Sequence, residues 1–498
     1  MEKIACSGLS FLAVFVLLSA FASADVWPMF HHDLNHSGFS SEIVNPSKLV
    51  EKWSWYVDGY GIMSEPTVVD GIVFMGKSQG GLWAYNASSG EYIWNFPFDP
   101  SWSFAQAAPA VANGIVYEGN FWNHNAFCAV NESTGIKIWC VNMSSSGVTS
   151  SATVSGGAVF FGGLDALVLA LNASTGAHIW NYSVGDSIES SPAVSGGVVY
   201  IGSRDNSVYA LNASTGAHIW NYTTGDDVYY SSPAVAYGRV YVGSRDHYVY
   251  ALNASTGALL WSYRTGGNID SSPALAYGRV YIGSEDTHLY ALNASTGAQL
   301  WNYTADNGFS RNTPVVANGV VYFNGWQQYD LKALNSTTGG LVWSYSTPWY
   351  STSPALADGM LFMSIGSTGF DAFTQDFASP AVRLDAPQNG TTTSDHSQTF
   401  TCNATETYEL ANITLNVWNA TGLFASETQG ASGNFTSNSF NVLEMANGGY
   451  TWNCLAIDSV NNAAYAPSNS TFTVFDGAIQ ATNRLYFGWN LISLPINI

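Results

Sequence analysis

The chain has 498 residues, about three domains' worth by length, and 47% of them are hydrophobic, which excludes wholesale disorder. Only 10% are charged and the net charge is −21, with 14 Lys and Arg residues. Because nucleic-acid phosphates and anionic lipid surfaces require basic patches, this composition argues against both as partners. The surface must be rich in Ser, Thr, Asn and Gly, which suits an extracellular protein.

Residues 1–24 have the pattern of a secretory signal peptide. Lys3 supplies the positive charge, Leu9 to Phe21 form a short apolar run, and Ala22-Ser23-Ala24 is a small-residue cleavage site. The mature chain is expected to begin at Asp25, to be secreted or cell-surface, and to contain no membrane span.

A histidine-rich segment follows the signal. His31, His32, Asp33 and His36 are the one histidine cluster, and metal ligation would require them to converge on one point. The alternative is a structural role in ring closure, and no metal site is predicted.

An internal repeat fills most of the chain. It reads Ala-x-Asn-x-x-Thr/Ser-Gly-x-x-x-Trp, and its tryptophans are spaced by 45, 41, 40, 41, 40 and 42 residues, with Trp53 in register 41 residues before the first. The Asn-x-x-Thr-Gly segment predicts a tight turn and the tryptophan a large packing surface between units. The predicted docking tryptophans are Trp53, Trp94, Trp139, Trp180, Trp220, Trp261, Trp301 and Trp343.

Each unit reads as four short strands, A to D, which predicts an all-β, eight-bladed β-propeller over residues 25–376. In the unit that starts at Ser190, the strands are expected at 190–194, 197–202, 208–211 and 218–222. After Trp343 come three strands without a fourth, and residues 51–56 are a D strand without a blade. The two ends are predicted to complete the eighth blade together.

Four cysteines follow the signal, and an even number in an exported chain favours disulfides. Cys128 and Cys140 flank one repeat turn almost symmetrically, so they are expected to face each other across a hairpin. Cys402 and Cys454 lie in a separate C-terminal domain.

The repeat resembles the tryptophan-docking motif of the pyrroloquinoline quinone (PQQ)-like propellers, a family of quinoprotein dehydrogenases, outer-membrane-assembly propellers and non-enzymatic exported proteins. The resemblance covers about residues 25–376 and implies the fold rather than a function. Quinoprotein members hold PQQ and calcium over the propeller axis and often have adjacent, disulfide-bonded cysteines. This chain has no such cysteine pair and lacks the long insertions, so neither cofactor is expected.

Residues 377–475 have alternating apolar and polar residues without the repeat. Cys402, Trp418 and Cys454 resemble the framework of an immunoglobulin-like β-sandwich with one inter-sheet disulfide, similar to modules of archaeal surface proteins. Trp452 occupies the tyrosine-corner position. The tail, 476–498, is expected to begin a further β segment that the sequence cuts short.

The loops joining strand D of one blade to strand A of the next (D–A loops) share one face with the B–C loops, and this face is the predicted binding surface. Aromatic side chains among carboxylates suit a protein or glycan partner. The expected ligand-facing residues are Trp102, Phe104, Glu189, Tyr229, Tyr230, Asp270, Phe309, Arg311, Trp349 and Tyr350.

Asn-x-Ser/Thr sequons predict N-glycosylation, although Asn is also the ordinary residue of such turns. Seven lie in C–D turns, at Asn86, Asn131, Asn172, Asn212, Asn253, Asn293 and Asn335. Others lie on D strands, at Asn142, Asn181, Asn221 and Asn302, and in the second domain, at Asn389, Asn403, Asn412, Asn419, Asn434 and Asn469. Glycans there would leave the D–A face bare.

The expected function is therefore a non-catalytic, exported scaffold that captures a protein or glycan. The alternatives are a structural coat glycoprotein and a PQQ-dependent oxidoreductase, and no catalytic residue is predicted.

Overall fold

The computed structural model describes residues 28–56, 64–77, 81–98, 105, 107–121, 125–143, 147–306, 308–309, 311–325, 330–347, 351–365 and 369–475. The predicted signal peptide, the predicted tail and the predicted contact residues Trp102, Phe104, Trp349 and Tyr350 lie outside these ranges.

The described repeat residues form eight sheets, each with antiparallel strands A to D in order, and the sheet of blade 7 has one additional strand. For blades 1 to 8, the A strands are Thr67–Val69, Ala110–Ala112, Thr153–Ser155, Ala193–Ser195, Ala234–Ala236, Ala274–Ala276, Val315–Ala317 and Ala355–Ala357. The B strands are Ile72–Lys77, Ile115–Gly119, Ala158–Gly162, Val198–Ser203, Arg239–Gly243, Arg279–Gly283, Val320–Phe323 and Met360–Ile365. The C strands are Gly81–Asn86, Ala126–Asn131, Leu167–Asn172, Ser207–Asn212, Tyr248–Asn253, His288–Asn293, Asp330–Asn335 and Gly369–Gln375. The D strands are Tyr92–Phe96, Lys137–Asn142, His178–Ser183, His218–Thr223, Leu259–Arg264, Gln299–Thr304, Leu341–Ser346 and Leu49–Tyr56.

The eighth blade closes the ring with strands from both ends of the repeat region. Strand Leu49–Tyr56 pairs antiparallel with Gly369–Gln375, and the A strands of blades 8 and 1 are in contact. The predicted strands are confirmed to within a few residues, although the A strands are shorter than expected.

The docking tryptophans join consecutive blades by two contacts. In seven interfaces the indole N–H donates to a carbonyl in the next blade's C–D turn at 2.8–3.1 Å. The turn glycine lies flat on the same indole, since a Cβ added to it would lie 2.5–2.8 Å from the nearest ring atom. Trp343 is the exception because strand C of blade 8 continues into no C–D turn.

The serine pairs before the A strands tie the blades together near the axis. Ser190 accepts from the backbone N–H of Gly202 within its blade, at 3.1 Å. Ser191 accepts from the N–H of Ser151 in blade 3, and its own N–H donates to Ser232 in blade 5, at 3.0 and 2.8 Å. These serine contacts between blades were not predicted, although the repeated Ser-Ser dipeptide is a signal for them in the sequence.

The N-terminal segment lies along the inner edges of the A strands. The central N–H groups of the A strands in blades 2, 4, 5, 6 and 7 donate to carbonyls of Pro28, Leu34, Asn35, Ser37 and Gly38. Strand Phe39–Ser40 then pairs parallel with Val315–Ala317, and a short 3-10 helix, Pro46–Lys48, leads into blade 8. The segment therefore satisfies inner-edge donors that would otherwise face the channel.

The histidines of this segment hold it in place. His31 and His36 are buried; their rings contact the His36 carbonyl and the Thr153 hydroxyl at 3.3 and 3.2 Å. Asp33 accepts from two N–H groups and from the Ser37 hydroxyl. Burial lowers the pKa of His31 to about 4 and of His36 to about 3, so both are neutral in the fold.

Residues 381–474 form a β-sandwich with its own core. One sheet contains Ala381–Ala386, Gln398–Thr405 and Phe435–Val442, and the other Thr391–Thr393, Ser470–Val474, Gly448–Asp458, Leu410–Asn419, Gly422–Gly430 and Ala463–Tyr465. The Cys402–Cys454 disulfide joins the two sheets, and the Cys128–Cys140 disulfide joins strands C and D of blade 2. The immunoglobulin-like assignment stays a prediction, because other sandwiches share two disulfide-linked sheets.

Two structural details concern residues of the sandwich that the sequence singles out. Trp452 is its fully buried tryptophan, whereas Trp418 is half-buried. Asn403 is only 8% exposed, and its amide donates to Asp385. Glycosylation at Asn403 stays a prediction, although the residue is largely buried in the folded domain.

Candidate functional site

The D–A and B–C loops of blades 4 to 7 bring eight polar side chains together on one face. Five come from D–A loops as predicted: Glu189, Tyr229, Tyr230, Asp270 and Arg311. Tyr229 adjoins Tyr230, and Asp227 precedes both. Arg204 and Arg245, from B–C turns, complete the group, which we call the axial network.

Aspartates of the B–C turns position these loops. Asp246 accepts from the N–H of Tyr248 within its turn at 2.9 Å and from the N–H of Gly225 after the previous blade's D strand at 2.6 Å. The Tyr250 hydroxyl donates to the same carboxylate. Asp205 and Asp286 make the same contacts in blades 4 and 6. Each of these aspartates therefore closes its own B–C turn and also joins that turn to the loop of the previous blade.

The Tyr229 ring is in contact with two arginines of the network. The guanidinium carbons of Arg204 and Arg245 lie 4.7 and 4.0 Å from its ring centroid. Cation–π attraction of this kind contributes about 0.5–2 kcal/mol per contact, depending on solvent exposure. These contacts hold both guanidinium groups against the tyrosine ring.

Both of these arginines are neutralised by carboxylates. Arg245 donates to both oxygens of the buried Asp270, at 2.9 and 2.7 Å. Arg204 donates to Asp227 at 3.3 Å and lies 4.0 Å from Glu189. Burial raises the pKa of Glu189 to about 7, opposed by the positive charge of Arg204.

Arg311 and Tyr230 extend the network across the face. The Tyr230 hydroxyl donates to that of Tyr229 at 2.9 Å. Arg311 lies 3.8 Å over the Tyr230 ring and donates to its hydroxyl, although the two residues are 81 positions apart in the sequence. Loops two blades apart thus meet at this point.

Phe309 does not belong to this surface. It is fully buried, with its ring 5.4 Å from that of Phe323 and against Gly283 of the previous blade. Its prediction as a ligand-facing residue is wrong, because its side chain points into the interface between blades 6 and 7, two residues before the exposed Arg311.

The sequon asparagines have two structural settings. In C–D turns the side-chain oxygen caps the turn; that of Asn212 accepts from the N–H groups of Ser214 and Thr215 at 3.0 Å each. On D strands, Asn181 and Asn221 are exposed and contact His178 and His218. Asn302 is exposed as well, and Asn412 is half-buried. Glycosylation stays a prediction at these sites.

The described residues contain neither a metal-binding cluster nor a membrane-spanning helix. They contain no group of three or more His, Cys, Asp or Glu side chains arranged to hold a metal ion. None of their helices is long and apolar enough to cross a membrane.

Curated relatives match short parts of this protein. Lupanine 17-hydroxylase [cytochrome c] of a Pseudomonas species is 27% identical over 154 residues, 26% of this chain and 22% of the relative. Quinoprotein ethanol dehydrogenase of Pseudomonas putida is 30% identical over 108 residues, 18% of this chain and 17% of the relative. The matched part thus spans about a fifth of the length of these enzymes.

Solved structures share the fold at low identity. BamB from Moraxella catarrhalis has a TM-score of 0.56 at 19% identity, covering 66% of this chain and 98% of that one. Quinohemoprotein alcohol dehydrogenase ADHIIG from Pseudomonas putida HK5 has a TM-score of 0.61 at 15% identity, covering 73% and 83%.

A family model described as outer membrane protein assembly factor BamB matches residues 24–186, 124–233, 230–353 and 268–474, so that the matches together span both the propeller and most of the sandwich. With the repeated tryptophan contacts and the ring of four-stranded blades, this match shows that the chain belongs to the BamB-type family of PQQ-like repeat propellers.

Proposed function

We propose that this protein is an extracytoplasmic, non-catalytic scaffold that binds a protein partner through the D–A face of its propeller. The observation that carries the proposal is the axial network, a pre-organised set of aromatic and charged side chains on rigid loops. Arginine and tyrosine dominate the energetics of protein interfaces because they combine apolar area with directed hydrogen bonds. Their ordering here reduces the entropy lost on binding.

The disulfides support an extracytoplasmic location. Cys128–Cys140 and Cys402–Cys454 are both formed, and such bonds persist in oxidising compartments. The family description, an outer membrane protein assembly factor, is compatible with a protein partner in such a compartment.

The axial network does not fit the PQQ and calcium site of the quinoproteins. A calcium ion requires several free carboxylate or carbonyl oxygens, whereas both oxygens of Asp270 are bound by Arg245 and Glu189 faces Arg204. A planar quinone requires an open aromatic face, whereas the Tyr229 ring is in contact with two guanidinium groups and the Tyr230 ring with one. These contacts favour binding over oxidoreductase chemistry.

Site-specific photo-crosslinking on intact source cells tests the proposal. A benzophenone amino acid replaces the exposed Asp226 in the D–A loop beside Tyr229, and the matched control replaces Tyr277, which is 49% exposed in an A–B turn on the opposite face. We expect one recurrent protein adduct from position 226 and none from position 277. Equal adducts from both positions would refute a single binding face.

The same experiment separates the alternatives. A coat glycoprotein would give adducts between copies of itself or with many neighbours from both faces. A glycan partner would give capture that glycosidase treatment removes. A quinoprotein oxidoreductase would bind PQQ with calcium saturably and reduce an electron-accepting dye in the presence of an alcohol.

A further inference from the structure

Arg311 differs from the other two arginines of the axial network in its charge balance. Arg245 is held by both oxygens of Asp270, and Arg204 by Asp227. Arg311 is exposed, and among the described residues no carboxylate lies within ion-pair distance of it. Its contacts are the ring and the hydroxyl of Tyr230.

These contacts orient the guanidinium without neutralising it. Stacking on Tyr230 holds the guanidinium plane over the ring at 3.8 Å, and the tyrosine is in turn fixed by its bond to Tyr229. A guanidinium has five N–H donors in a planar fork, and the Tyr230 phenol oxygen accepts from one of its nitrogens. Paired donors remain for a second planar group.

The charge of the whole protein makes this position distinctive. The net charge is −21 and there are only 14 Lys and Arg residues. Over most of such a surface an anion meets repulsion. At Arg311 it meets an ordered cation, and the network carboxylates Asp227 and Asp270 already have arginine partners.

We propose that Arg311 is the anchor for a carboxylate of the protein partner, bound through paired N–H···O hydrogen bonds, with Tyr230 as the residue that positions it. Guanidinium–carboxylate pairs of this geometry are short and directional, and lysine cannot reproduce them. The carboxylate belongs to an acidic side group or to the C-terminus of the partner. The inference rests on the proposed function, because it names the chemistry by which the D–A face recognises its partner.

The test uses the mature protein with 15N-labelled arginine and follows the side-chain Nε–Hε signals by NMR. The probes are N-acetyl-glutamate N-methylamide for a γ-carboxylate, N-acetyl-glutamine for a terminal carboxylate and N-acetyl-glutamine N-methylamide as the uncharged control. Arg311→Lys assigns the Arg311 signal by its loss. Arg245, already bound to Asp270, is the internal control.

We expect the Arg311 signal to shift saturably with at least one carboxylate probe, while the Arg245 signal stays in place and the uncharged probe has no effect. The probe with the lower dissociation constant identifies the source of the carboxylate. Binding to the Arg311→Lys variant is followed through the signals of the neighbouring tyrosines. We expect the affinity for that probe to fall roughly tenfold. Tyr230→Phe should weaken it less.

Three results would overturn the proposal: no saturable shift, an equal shift with the uncharged probe, or parallel shifts of all arginines. A larger shift with inorganic phosphate than with either carboxylate would also overturn it. The outcome is separable from that of the proposed function. If the photo-crosslink to the partner persists in the Arg311→Lys variant, the D–A face is supported as the binding face but Arg311 is not its anchor. If the probes bind at Arg311 but no partner is crosslinked, the carboxylate site is supported and the proposed function is not.

Discussion

Two glycines with the same backbone conformation separate the packing of the docking tryptophans from the strain of the turns. Gly257 and Gly278 both have φ of +71°. A Cβ on Gly257 would lie 2.7 Å from two ring carbons of Trp220, whereas a Cβ on Gly278 would meet nothing within 4 Å. Replacing either glycine by alanine therefore imposes the same backbone strain, but only Gly257→Ala adds a steric clash with the indole.

The magnitudes follow from these distances. Placing alanine in the left-handed region costs about 1 kcal/mol, which is the full effect expected for Gly278→Ala. In Gly257→Ala the indole must also move by about 1 Å to reach ordinary contact, at a cost of about 1–3 kcal/mol. That movement weakens the 2.9 Å bond from Trp220 Nε1 to the Ala254 carbonyl, worth about another 1 kcal/mol.

Calorimetric unfolding of the purified mature protein measures the difference. A propeller of roughly 350 residues has an unfolding entropy near 0.7 kcal/mol/K, so each kcal/mol lowers Tm by about 1.4 °C. We expect Gly278→Ala to lower Tm by about 1–2 °C and Gly257→Ala by about 4–7 °C. If the two variants unfold within 1 °C of each other, the stacked indole does not control the stability of the interface between blades.

Three further predictions use the same assay. Trp220→Phe loses an indole hydrogen bond and should cost about 2 kcal/mol, whereas Trp343→Phe, whose indole makes no such bond, should cost about half as much; equal losses would contradict the role of the hydrogen bond. Asp270→Asn leaves Arg245 without its charged partner and should lower the free energy of unfolding by about 2–3 kcal/mol. Asp227→Asn should lower it by less than 1 kcal/mol, because the Arg204–Asp227 pair is longer and more exposed. Burial raises the pKa of Asp371 to about 7, so ionisation of this carboxyl group destabilises the fold increasingly as the pH rises from about 4 to 7. Asp371→Asn should therefore raise the free energy of unfolding by up to about 4 kcal/mol relative to the wild type at pH 8, and by much less at pH 5. A gain in stability that is independent of pH would show that the carboxylate does not titrate in the folded protein.

The candidate site was predictable only in part. The sequence placed Glu189, Tyr229, Tyr230, Asp270 and Arg311 on the D–A face, because hairpin loops alternate between the faces of a propeller. Arg204 and Arg245 were missed, since a B–C turn reading Gly-Ser-Arg-Asp looks like turn chemistry alone. Their role depends on Tyr229, which is contributed by a D–A loop.

The sequence by itself determined the blades, the closure of the ring and the docking of the tryptophans. These features follow from local alternation and from a motif that recurs in phase, and both are properties of short segments. Tertiary structure alone decided which loop residues meet and which of them point inward. Phe309 is buried and Arg311 exposed within one loop, and Arg311 reaches Tyr230 across 81 residues of sequence. Such contacts exist only after eight blades close into a ring, because closure sets the distances between loops that no local pattern encodes.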